Sequence, residues 1–296
     1  MPPMPRPPLP LLLLLTLTAC GTGRTSQWEV ATPAPAAAPA AAGAESPAAA
    51  AEAAWARRGE RAELEKAIAQ WEAALAGKPD DVAILGRLSR AYYLLSDGFL
   101  RKPEDKPAYL SNMEKGTGYG ERGLAAASPA FKTKVRDGEK VEEAIKLVGR
   151  EGLEPMYWYV VNLGKWARAK GLAALLGNKD RAKGVMTRAL ELDETFFHGA
   201  PHRYFGAYWS LLPVGRDLDK SKQHFDKSLS IAPNYAGTKV LMAETYAVKK
   251  QDRALFVRLL DEVLALPDDA IADLAPEIKI EKDKARELKA KVDELF

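Results

Sequence analysis

The chain has 296 residues, 47% of them hydrophobic and 28% charged, a balance that excludes wholesale disorder and an integral membrane protein. Forty-three Lys and Arg against 40 Asp and Glu leave a net charge of +3, without the basic excess that marks a nucleic-acid binder. One cysteine and three histidines exclude an intrachain disulfide framework and leave little material for a usual zinc site, so no cofactor is expected.

The first element is an export signal. Arg6 is the only charge before a short apolar run over residues 11–19, too short to span a bilayer, which needs about 20 apolar residues. The run ends in Leu17-Thr18-Ala19-Cys20-Gly21, which is similar to a bacterial lipobox. That likeness implies cleavage before Cys20, a lipid on its sulfur and a periplasmic, membrane-anchored product. Acyl chains anchor at about 0.8 kcal/mol per buried methylene. Gly21 in place of Asp favours the outer membrane, by analogy with enterobacterial sorting. Residues 1–19 therefore read as signal peptide and 20–54 as a lipidated tether. Residues 32–54 are almost wholly Ala, Pro, Glu, Ser and Gly, with no apolar stripe to offset ordering entropy. Extended at about 3.1 Å per residue, such a tether reaches up to about 100 Å. A low-complexity insert without function is the plain alternative.

Residues 55–296 read as one all-α domain. The best strand candidate, residues 157–161, is flanked by helix-like sequence on both sides. Val82, Leu85, Leu88, Tyr92 and Leu95 share one helical face, as do Leu255, Leu259, Val263 and Leu266. A helix ending recurs: Trp71 to Leu75 before Pro79, Leu124 before Pro129, Leu190 before Asp193, Leu229 before Pro233 and Leu264 before Pro267. It matches the second helix of a tetratricopeptide repeat, with small residues at Ala74, Ala189 and Ser228 for close helix approach and a proline to stop each helix. The endings lie 50, 64, 40 and 34 residues apart. The regular period is about 34, so insertions are expected near residues 98–119 and 132–154. The predicted fold is a tetratricopeptide-like helical-hairpin superhelix with a concave inner wall, a surface that usually holds peptides or protein segments.

The C-terminal half carries a family resemblance. His198, Pro201 to Gly206, Tyr208-Trp209 and Leu212-Pro213 lead into Asp219, Ser221, His224-Phe225 and Leu229. With Met156 to Tyr159, Asn162 to Gly164, Ala243 to Tyr246, residues 251–256 and the closing Lys284 to Leu288 and Asp293 to Phe296, this order resembles the T component of tripartite ATP-independent periplasmic (TRAP) transporters. The likeness runs over about residues 55–296 and is strongest at 154–266. It implies a non-catalytic periplasmic lipoprotein with a hydrophobic cleft or pore. The implied partner is the substrate-binding P component, with self-association left open. A scaffold lipoprotein for outer-membrane or pilus assembly is the competing function; irregular repeat spacing and an aromatic groove favour the transporter.

The candidate binding residues are Arg203, His202, His198, Trp158, Tyr159, Asn162, Tyr204, Tyr208 and Trp209. His198 and His202 are four apart, but Pro201 starts a helix and leaves His198 outside it, and no HExxH pattern or acidic ligand accompanies them. Packing and capping at a repeat start is one reading of this cluster. The other is that Arg203 faces the cleft and pairs with a carboxylate through its planar fork. The dense aromatics, Trp166 and Phe205 included, are core by default and a cleft lining by alternative. Residues 279–291 read as a solvated helix face. No catalytic motif is present; Gly116-x-Gly118-x-Gly120 is only a look-alike of a phosphate loop.

Overall fold

The computed structural model describes Arg24, residues 26–28 and residues 46–296. The signal peptide, Cys20 and most of the expected tether lie outside the described residues. Among the described residues there is no strand. Five helical pairs follow one another. They are α1 (Pro47–Trp55) with α2 (Arg61–Gly77), α3 (Val82–Phe99) with α4 (Lys106–Ala127), and, after an insertion, α7 (Leu153–Lys170) with α8 (Leu172–Leu192). Then come α9 (Phe196–Leu211) with α10 (Leu218–Ile231), and α11 (Ala236–Met242), a π turn and α12 (Val248–Lys250) with α13 (Arg253–Ala265). The insertion holds α5 (Pro129–Arg136) and α6 (Val141–Ala144), and the chain ends in α14 (Ala275–Ala290) and α15 (Val292–Leu295).

Each recurring ending read from the sequence is the C-terminus of a second helix, in α2, α4, α8, α10 and α13. The starts are equally local. Asp81, Ser128, Asp217 and Asp252 each accept a hydrogen bond from the amide three residues on, capping α3, α5, α10 and α13. The best strand candidate, residues 157–161, is helical, inside α7, in line with the all-α reading. Its aromatic, β-branched run suits a strand locally, but all-round burial between α4 and α8 selects a helix hydrophobic on several faces. The insertion at 132–154 is as expected, whereas the segment around 98–119 is mostly the long helix α4. Helix α1 starts at Pro47, and Arg24 and residues 26–28 also pack on the body.

Small residues set the interhelical distances. Ala189 and Ser228 are fully buried, while Ala74 is only half-buried. Gly116 and Gly120 of α4 are helix-packing positions and not parts of a phosphate loop. A Cβ on Gly116 would meet Asn162 at 2.6 Å, and one on Gly120 would meet Tyr159 Cβ at 2.6 Å and its Cα at 2.8 Å, so α4 and α7 pack backbone to backbone.

The last long helix does not sit on the solvent side of the array. α14 leaves α13, crosses the inner side and reaches the first hairpins. Glu277 pairs with Arg58 at 2.9 Å and Arg90 at 2.8 Å, and Ile280 packs into the N-terminal core beside Gly98. Lys284 pairs with Asp97, and Glu287 with Arg101 at 2.6 Å. Residues 277, 280, 284 and 287 form one stripe at helical spacing, so the expected solvated face holds only for the rest of the helix, such as the exposed pair Arg286–Asp283. Breaking a buried pair costs about 3–5 kcal/mol because it strands the partner charges. Glu277→Ala is expected to lower the unfolding free energy by about 3 kcal/mol in urea titration. Arg286→Ala, on the exposed side, is expected to change it by less than about 0.5 kcal/mol. Equal effects would contradict the closure.

Candidate functional site

The first helices of the hairpins, α3, α7, α9 and α11, form the inner wall, and α8 and α14 complete it. They line a cavity of about 480 Å³ that opens to solvent. Pockets for small molecules usually fall between about 300 and 1,000 Å³. One end is apolar: Leu163, Leu175, Leu176, Tyr204 and Tyr208 line it. Tyr204 and Tyr208 stack at 5.9 Å, one helical turn apart on α9. Burial pushes both phenols above their ordinary pKa, so they line the cavity as neutral rings with hydroxyl tips.

The other end is charged. Asp97 accepts from Lys165 at 2.6 Å, from Lys284 and from the Tyr93 hydroxyl at 3.0 Å, and Lys284 also pairs with Glu281 at 2.8 Å. Burial opposes the Asp97 carboxylate, but the two ammonium groups outweigh it and hold its pKa well below the carboxylate range. Burial likewise opposes both lysines, and Asp97 outweighs it, raising their pKa values.

Arg203 completes this end. It is 5% exposed, and no carboxylate pairs with it among the described residues. Its guanidinium donates to the Tyr157 hydroxyl at 3.0 Å, the carbonyls of His198 and Phe197 at 3.2 and 3.4 Å, and Thr238 Oγ at 3.4 Å. It lies over the Tyr235 ring at 4.2 Å. The carbonyls are aimed by a left-handed turn: Phe197, His198 and Gly199 have φ of 41, 61 and 71°. This conformation is uncommon outside glycine and costs about 1–3 kcal/mol per residue. Packing of Phe197 on Trp158 at 5.2 Å, stacking of His198 on Tyr235 at 5.2 Å and the Arg203 hydrogen bonds hold it. The regular part of α9 then runs from Ala200 and Pro201, and His198 lies outside it, as the sequence implied. Seven cations and four carboxylates line the cavity, so its field favours an anion.

Of the nine candidate residues, Trp158, Arg203, Tyr204 and Tyr208 line the cavity. His198 packs behind Arg203 on Tyr235. His202 is turned to α10, where its Nδ1 lies 2.9 Å from Nδ1 of His224 and its Nε2 3.1 Å from Glu194. Trp209 sits beside Lys220 and Lys183. Tyr159 and Asn162 fall on the opposite face of α7 from the cavity: Asn162 donates to the carbonyls of Ser89 and Trp158, and Tyr159 packs against Trp28. Sequence reasoning missed Asp97, Lys165 and Lys284. Lys165 continues the spacing of Trp158 and Val161 along α7 and was findable; Asp97 and Lys284 come from distant helices and left no local signal.

The fold is thus a tetratricopeptide-like helical array around an apolar, cation-rich cavity. The chain matches the TRAP transporter T-component family over residues 64–296 and belongs to it. It is therefore a component associated with a TRAP transporter. No curated protein matches the chain. Among the described residues no helix is long and apolar enough to cross a membrane.

The histidine pair gives a pH test. Burial first, and then His202, push the His224 pKa down to about 4. Its folded value lies below the unfolded one, near 6.5, so this contribution is complete above pH 6.5 and is lost as pH falls towards 4. After allowance for solvent screening at this half-buried site, the loss is about 1 kcal/mol. Chemical denaturation of His224→Gln between pH 7 and pH 4 is expected to show a correspondingly shallower decline than the parent chain.

Proposed function

We propose that the chain is a non-catalytic periplasmic lipoprotein, anchored through Cys20, that serves its transporter by holding a small amphipathic carboxylate and engaging the substrate-binding P component. The observation that carries the ligand class is Arg203: a buried guanidinium with no carboxylate partner, at the charged end of a cavity whose other end is apolar. A carboxylate would meet Arg203, Lys165 and Lys284, and an apolar tail would lie along Leu163, Tyr204 and Tyr208. Membership of the family supports association with the transporter, and the lipobox-like Leu17 to Cys20 supports the anchor.

Charge-assisted hydrogen bonds contribute about 1.5–3 kcal/mol each, or about 10- to 100-fold in affinity. Decanoate is therefore expected to bind in calorimetry more tightly than decanol, which has the same chain length without the charge. Arg203→Gln is expected to weaken decanoate at least 10-fold, leave decanol unchanged and keep the circular dichroism of the parent. Equal binding of both probes by the parent would remove the carboxylate reading. Failure of every TRAP receptor of the source to be retained by the immobilised chain would remove the P-component reading.

A further inference from the structure

The expected tether begins with residues that are not free. Arg24 places both terminal nitrogens on the Glu121 carboxylate, at 2.5 and 2.6 Å, and the backbone amide of Gln27 donates to the same carboxylate at 2.8 Å. The side chains of Arg24 and Glu121 are 4% and 0% exposed. Trp28 is 2% exposed and sits edge-on to Phe131 of α5 at 5.9 Å and Tyr159 of α7 at 5.8 Å. Its carbonyl accepts from Arg136 at 3.1 Å, and Arg181 of α8 lies over its ring at 5.8 Å. Gly118 of α4 makes room for the crossing chain, since a Cβ there would meet Gln27 Cγ at 3.0 Å. Four helices thus build a seat for these few residues, and Glu121 would be a buried, unpaired charge without them. Burying a full tryptophan and satisfying a buried carboxylate are the marks of a specific dock and not of a chain passing by.

We propose that Arg24 and residues 26–28 form an intramolecular clasp that holds the folded body close to the membrane, with the lipid-bearing Cys20 only four residues before Arg24. In the sequence the clasp lies between Cys20 and α1, which starts at Pro47. Docked, the body lies within about 14 Å of chain from Cys20; released, the reach to Ser46 grows to about 90 Å. The clasp sits against Tyr159, on the face of α7 opposite the cavity, so it sets which side of the binding module is turned to the lipid. The membrane role rests on the lipidation reading of Cys20, whereas the docking rests on the contacts alone.

The full chain, exported and reconstituted in phosphatidylethanolamine–phosphatidylglycerol vesicles, separates the two. Intact mass reads the acyl chains on Cys20. Hydrogen exchange reads the dock: the Gln27 amide is expected to exchange at least 10-fold more slowly than in a free peptide. Energy transfer from a donor on Lys134→Cys, an exposed site on α5, to a headgroup acceptor reads the distance. Transfer is expected to be strong in the parent and to fall at least two-fold in Trp28→Ala. Gly118→Leu, which fills the place of the Gln27 side chain, is expected to do the same, with acylation and helix content unchanged in both. Free-peptide exchange at Gln27, or transfer unaltered by both substitutions, overturns the clasp. An unmodified Cys20 with slow exchange at Gln27 overturns the membrane role and the lipidation reading together.

Discussion

One carboxylate holds the architecture closed. Asp97 on α3 receives Lys165, 68 residues further on, and Lys284, 187 residues further on, at the junction of α3, α7 and α14. Stacked hairpins contact only their neighbours, so an array of this type has no intrinsic reason to shut. Each ion withdrawn from water carries a penalty of several kcal/mol, which is offset only when geometry and partners are complete. Here they are: Glu281 takes the second charge of the cluster, and the Tyr93 hydroxyl takes a remaining lone pair of Asp97. The Glu277 pairs with Arg58 and Arg90 repeat the device about two turns away along α14. With α14 fastened at both places, a concave groove gains a further wall.

Against that closed ring, Arg203 is the charge left over. Lys165 and Lys284 meet a carboxylate, whereas Arg203 is satisfied by phenol, hydroxyl and carbonyl oxygens. The strained turn at residues 197–199 exists in that setting because it aims two carbonyls at one guanidinium while Phe197 fills the space over Trp158. Strain of this kind persists where the surroundings over-determine it, and it concentrates at binding sites. The turn, the arginine and the apolar wall are therefore parts of one arrangement, built from α7, α9 and the start of α11.

Helix α7 has two occupations. One face, including Val161 and Lys165, lines the cavity. The opposite face, including Tyr159 and Asn162, packs on the glycines of α4 and on Trp28. A helix hydrophobic nearly all round is what burial on two sides requires, and the aromatic run at residues 157–159 meets that requirement with large rings on both.

Much of this was present in the chain read alone. The five helix endings, the start of the regular part of α9 at Pro201 and the family all follow from local patterns, because caps, prolines and apolar periodicity act within one or two turns. Tyr159 and Asn162, candidate binding residues that face away from the cavity, show the limit: periodicity groups residues by face but does not say which face meets which neighbour. The crossing of α14, the Asp97 cluster and the seat for Trp28 required the tertiary structure. They join residues roughly 70 to 220 positions apart, and a charged residue that closes such a contact has the same local spacing as one pointing into water.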